Sequence, residues 1–163
     1  MVLIEKIGYG QVEPNHLSAQ RTGQIYAQSK AEEGIELLEN GSFLKLDPAS
    51  NTLGTTGSGE WMLVYNEVKL YDVDRQGYKD FALKAVETVR GEIVPRLFKT
   101  NVGDIFTTNL AEDVEAGTKL TPTAEGKVGV LKTATGDEDV VFEVIKKTTM
   151  PDRQAAIKVV RIK

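Results

Sequence analysis

The chain has 163 residues, 40% hydrophobic and 27% charged, with a formal net charge of −4 and no cysteine. That length allows one domain, or one domain carrying an arm, and the hydrophobic fraction is enough for a core. Disulfides, thiolate metal sites and cysteine nucleophiles are excluded; the single histidine, His16, excludes centres built on two imidazoles; and the acidic balance argues against a general nucleic-acid binder.

β-Formers are abundant, with 17 Val, 9 Ile and 15 Thr. Branched side chains suit a pleated surface and lose rotamer freedom in helices. The 15 Gly and 5 Pro fall mostly between apolar runs, as turn residues do. These features predict a mainly β fold, a small barrel or sandwich with at most one or two short helices. No apolar run approaches the roughly 20 residues of a membrane span. The opening Met1-Val2-Leu3-Ile4-Glu5 is too short for a signal h-region. A protein that folds in a reducing cytoplasm fits this composition.

Residues 1–30 differ from the rest. After Ile7 the segment is polar, with scattered apolar residues and no sustained period of 2 or 3.6. It is expected to be an extended arm ahead of a compact body at 31–163. The arm either wraps the surface or orders on a neighbouring subunit. Its candidate partner contacts are Tyr9, Gln11, Pro14, Leu17, Gln20, Gln24, Ile25 and Tyr26. On this reading a chain lacking residues 2–28 remains folded.

Ser29 followed by Glu32 has the spacing of a capping box. Gly34 weakens a helix, and Asn40-Gly41 separates Ile35-Glu36-Leu37-Leu38 from Phe43-Leu44-Lys45-Leu46. Asn-Gly between apolar runs predicts a hairpin. Residues 47–60 read as a loop. Residues 61–73 are the longest strand candidate, covered on both faces in the first half. Asp74-Arg75-Gln76-Gly77 turns the chain. Residues 79–90 fit a returning strand or a short helix, since Phe81, Ala85 and Val89 have helical spacing. Short strands follow at 93–99, where Pro95 suggests an edge or bulge, and at 105–108, 119–123 and 128–133. A final hairpin joins 140–148 to 155–162 around Pro151-Asp152-Arg153-Gln154.

Chemical motifs are weak. Gly54-Thr55-Thr56-Gly57-Ser58-Gly59 has the glycine spacing of a phosphate loop, but Glu60 and Trp61 stand where Lys and Ser/Thr are needed. A surface loop is the better reading. Asp72, Asp74, Gln76, Gly77 and Asp80 resemble the start of an EF-hand loop, yet Leu83 replaces the bidentate Glu. His16 sits beside Ser18 in the arm-like segment, where no rigid base–nucleophile geometry is expected. The acids Glu32, Glu33, Glu36 and Glu39 read as surface charge. Trp61, Tyr65 and Tyr71, at odd positions of one strand, are expected either to form an aromatic platform for a ligand or to belong to a core or subunit interface. No catalytic, cofactor or metal site is predicted.

The C-terminus is basic. Residues 144–163 carry Lys146, Lys147, Arg153, Lys158, Arg161 and Lys163 against Asp152 alone, a net of +5 that leaves −9 for residues 1–143. Such asymmetry fits an oppositely charged partner or the protection of a sheet edge.

Three stretches carry a resemblance: Leu38-Glu39-Asn40-Gly41-Ser42-Phe43-Leu44-Lys45-Leu46-Asp47, then Val102-Gly103-Asp104-Ile105-Phe106-Thr107-Thr108-Asn109, then Ala116-Gly117-Thr118-Lys119-Leu120-Thr121-Pro122. With the polar N-terminal segment and the terminal hairpin, the chain from residue 9 onward is similar to capsid decoration (cement, or head auxiliary) proteins of tailed bacteriophages. The resemblance implies a β-rich body on the outer capsid surface, assembled in the host cytoplasm and often trimeric. It also implies an arm that contacts the major capsid protein, with no catalytic site, cofactor, nucleic acid or membrane. Residues 61–92 then stand as a possible insertion. A tail-tube or head–tail connector component, or a non-viral β-module binding a carbohydrate or protein ligand, are the alternatives.

Overall fold

A computed structural model describes residues 2–19, 23–68 and 77–163. Among these, the strands in chain order are β1 Val12–His16, β2 Ile25–Tyr26, β3 Lys30–Ala31, β4 Leu37–Leu38, β5 Phe43–Asp47, β6 Thr52–Gly54 and β7 Met62–Val64. They continue as β8 Leu83–Lys84, β9 Leu97–Phe98, β10 Ile105–Thr108, β11 Lys119–Glu125, β12 Val128–Thr133, β13 Phe142–Thr149 and β14 Ala155–Arg161. The helical residues are two 3-10 turns, Tyr78–Asp80 and Ala85–Glu87. The protein is mainly β, as its β-branched composition predicts.

One sheet contains twelve of the strands, along the path β1-β10-β14-β13-β11-β12-β5-β7-β9-β2, with β6 and β3 branching from β5. Pairing is antiparallel except between β3 and β6. A separate pair joins β4 to β8. Among the described residues, no helix is long and apolar enough to cross a membrane.

Two cores share a wall. Phe43 of β5 faces Leu63 of β7, and both enter a first core with Phe106, Leu120, Leu131, Phe142, Ile157 and Val159. The adjacent Leu44 faces Met62, and with Val64 these enter a second core containing Leu38, Leu53 and Leu97. Period-two alternation thus sends successive side chains of β5 and β7 into opposite cores. This explains why all three residues of β7 are buried and why both faces of the start of that segment read as covered. In the first core, the Phe142 ring lies 5.8 Å from Phe43 and 5.4 Å from Phe106, the latter edge-on. Each such contact adds about 0.5–1.5 kcal/mol beyond burial.

Several expectations are corrected. Residues 2–19 and 23–30 do not project as an arm. β1 pairs with β10, β2 pairs with β9, and Ile4 and Val12 are buried in the first core. The segment lacks visible periodicity because only Val12 of β1 points inward, while Glu13, Pro14, Asn15 and His16 are exposed. The hairpin at Asn40-Gly41 does not form, although the turn does: Ser42 donates to the Glu39 carbonyl at 3.3 Å. β4 pairs instead with β8, and β5 with β6, β7 and β12. Asn40 is committed elsewhere, donating to the Asn66 carbonyl at 3.0 Å and accepting from the Asn66 amide at 2.8 Å. The expected loop at 47–60 holds β6, which turns back on β5 through residues 48–51 with Asn51 at φ 53°. Of the long strand expected at 61–73, the described residues 61–68 form strand at Met62–Val64; residues 69–73 lie outside the described residues. Within residues 61–92, β7 lies between β5 and β9 inside the sheet. The strand at 93–99 shrinks to Leu97–Phe98, since Pro95 has no N–H for a ladder.

Candidate interaction surface

Among the described residues, the N-terminal segment supplies both outer strands of the sheet path, β1 at one end and β2 at the other. Residues 17–24 join them, a length that spans at most about 30 Å when extended. Polar anchors hold Ser18 and Gln24, on either side of the residues not described. Asp104, 2% exposed, accepts from the Ser18 amide at 3.1 Å, the Ser18 hydroxyl at 2.6 Å and the Asn101 amide at 2.9 Å. Asn101 donates to the Ser18 carbonyl at 2.8 Å and accepts from Gln24 Nε2 at 2.6 Å.

Of the eight residues expected to contact a partner, the seven described ones are therefore divided between the β1 and β2 ends of the path. Gln11 and Gln24 are buried. The Gln11 amide donates to Asn109 Oδ1 at 2.7 Å and its side chain to Asp152 at 3.0 Å. Burial pushes the Asp152 carboxyl up, but hydrogen bonds from Gln11 and Gln154 outweigh that and leave it below its ordinary value. Leu17 packs on the first core and Tyr26 on the second. Tyr9 is half-buried with Lys84 Nζ 5.2 Å from its ring centroid. Pro14 and Ile25 are exposed, on β1 and β2. Gln20 lies outside the described residues. The signal missed was glutamine burial, because an amide inside a fold needs partners that sequence spacing does not reveal.

The basic C-terminus also divides. Arg161, 7% exposed, donates to Glu60 at 2.9 Å and to the Thr100 carbonyl and hydroxyl. Lys147 binds Asp113 and Glu115 at 3.1 and 2.8 Å, which raises its pKa. Of the four that remain, Lys163 is exposed, and Lys146, Arg153 and Lys158 line a groove of about 420 Å³ with Glu13, Asn15 and Thr107. β14 is paired on both sides, so edge protection does not account for Lys158.

The motifs considered for other chemistry are placed as follows. A Cβ on Gly57 would collide with the Leu46 carbonyl, so a close backbone approach explains a glycine there. His16 is exposed on β1. Glu33 and Glu36 are exposed, and Glu39 binds Lys6 at 3.0 Å. Of the EF-hand-like residues, Asp72, Asp74 and Gln76 lie outside the described residues. Among the described residues, no group of three or more His, Cys, Asp and Glu is placed to hold a metal ion. The aromatic residues are engaged by their own chain. Lys45 Nζ lies 4.8 Å from the Trp61 ring centroid, and Tyr65 stacks at 5.9 Å on Phe98. Burial, then the Glu13 carboxylate, raise the Tyr65 phenol pKa. Tyr71 lies outside the described residues.

Comparison with protein-family models, with curated proteins and with solved structures finds no match.

Proposed function

We propose that this protein is a structural virion component that binds the outer surface of a tailed-phage capsid, clamps neighbouring major capsid subunits and acts as a homo-oligomer, with a trimer favoured. The role is contact, not catalysis. Supporting it, the three stretches that resemble decoration proteins include β5, β10 and the start of β11, strands of a single sheet. The observation that carries the reading is the pair of outer strands drawn from the N-terminal segment. A strand at the end of a sheet offers backbone groups and side chains to a neighbour. Pro14 removes one donor from β1, so contact there runs through side chains. On β2, Ile25 is 47% exposed and unburied by its own chain.

The test is cosedimentation with empty phage heads. The expected result is that Ile25→Asp melts like the parent protein yet loses capsid binding. Full binding by that variant removes β2 from the contact, and absence of binding by the parent protein overturns the capsid reading.

A further inference from the structure

A β-bulge changes the register of β13 against β14. Val144 faces Val159, but Lys146 rather than Ile145 faces Lys158. The extra residue leaves Ile145 42% exposed and sets two lysines directly opposite on one face. Thr107 and then Glu13 continue that row across β10 and β1. Like charges in directly opposed positions are destabilising, and bulges commonly re-aim side chains at working surfaces. Among the described residues, no ion pair engages Lys146, Arg153 or Lys158. The groove they line contains one carboxylate, Glu13, and no aromatic ring. It therefore carries excess positive charge and lacks a stacking platform for nucleic acid.

A surface of opposite sign lies at the other end of β13. The loop between β12 and β13 contains Asp137, Glu138 and Asp139. Glu138 folds back on the loop, accepting from the Thr135 amide and hydroxyl at 2.6 and 2.7 Å and from the Gly136 amide at 2.8 Å. That fixes the loop and leaves Asp137 and Asp139 exposed. No ion pair engages either among the described residues. At about 3.3 Å per residue, Asp139 and Lys146 are separated by on the order of 20 Å along one strand direction. One molecule does not bring them together; two molecules placed head to tail do.

We propose that the Lys146–Lys158–Arg153 groove receives the Asp137–Asp139 loop of a second copy of this chain. The contact is heterologous, so it closes into a ring when the rotation between copies permits. The two like-charged lysines become favourable once an acidic loop lies over them. This contact is independent of what the assembly binds.

Sedimentation velocity of the purified full chain, with no capsid present, tests it. The parent protein is expected to self-associate at about 0.01 M salt, where charges act over about 30 Å, and to dissociate near 1 M, where the range is about 3 Å. Lys146→Glu with Lys158→Glu weakens association at least about tenfold, and Asp137→Lys with Asp139→Lys does the same. Combining all four changes in one chain restores it. Thermal melts confirm that each variant is folded. A parent protein that is monomeric at both salt concentrations overturns the proposal, and so does association unaffected by the groove variant. A folded four-substitution chain that stays monomeric also overturns it. Binding of an added acidic peptide by a monomeric parent assigns the groove to another partner and equally refutes the second copy.

Discussion

Val12 distinguishes an N-terminal segment that completes the sheet from one that merely lies on it. Its side chain is 7% exposed and sits in the first core, while the next residue of β1, Glu13, is exposed. Val12→Ala removes two buried methyl groups and leaves a small cavity, a cost of about 2 kcal/mol. For a chain of this size that lowers Tm by roughly 4–8 °C. Glu13→Gln, in the same strand, is expected to stay within about 0.5 kcal/mol of the parent. Deleting residues 2–16 also removes Ile4, and the two core side chains alone are worth about 3–6 kcal/mol against a typical total of about 5–15. The truncated chain is expected to lose most of its cooperative transition, unlike the folded remainder an independent arm would leave. Urea and thermal denaturation followed by circular dichroism read all three variants. Val12→Ala melting with Glu13→Gln, or a truncated chain with an unchanged midpoint, refutes the placement of β1.

Asp104→Ala leaves the amides of Ser18 and Asn101 without their acceptor. A loss of about 2–4 kcal/mol is expected by denaturant titration, with faster amide exchange at Ser18; parent-like exchange there contradicts the anchoring role. Gly129→Ala sets a Cβ 2.7 Å from Trp61 Cζ3 and 3.1 Å from the Phe43 carbonyl. It should shift Trp61 fluorescence and lower Tm, and an unchanged spectrum counts against that close packing. Hydrogen bonds from Thr135, by side chain and then backbone, and from Gly136 lower Glu138 from 4.5 to about 2. Its folded value is depressed, so its contribution is present above about pH 4.5 and lost as pH falls through about 2. An NMR titration of its carboxyl carbon showing an ordinary midpoint is the contrary result.

The later strands are legible because local chemistry brackets them. Glu125-Gly126 separates β11 from β12, and Pro151 to Arg153 turns β13 into β14, with Arg153 at φ 69°. Two of the earlier elements resist for the opposite reason, since distant partners decide them. Asn40 carries a hairpin signature but spends its amide on Asn66. Met62–Val64 is the short central part of an apolar run because it alone lies between β5 and β9. The basic groove was half legible. The C-terminal charge excess is visible in sequence, but only the pairing of Lys147 and Arg161 shows which cations remain for the groove. The N-terminal segment resists as well, because an outer strand with one inward residue shows no period.

β1 also constrains the order of folding. Among the described residues it joins the sheet through β10, and the Gln11–Asn109 hydrogen bond spans 98 residues. β10 in turn is seated on β14, which follows it by about fifty residues in the chain. Closing so long a loop carries an entropy cost before any contact compensates for it. β1 is therefore made well before the strands it depends on and docks late, and Ile4 and Val12 remain exposed until β10 and β14 have been synthesised.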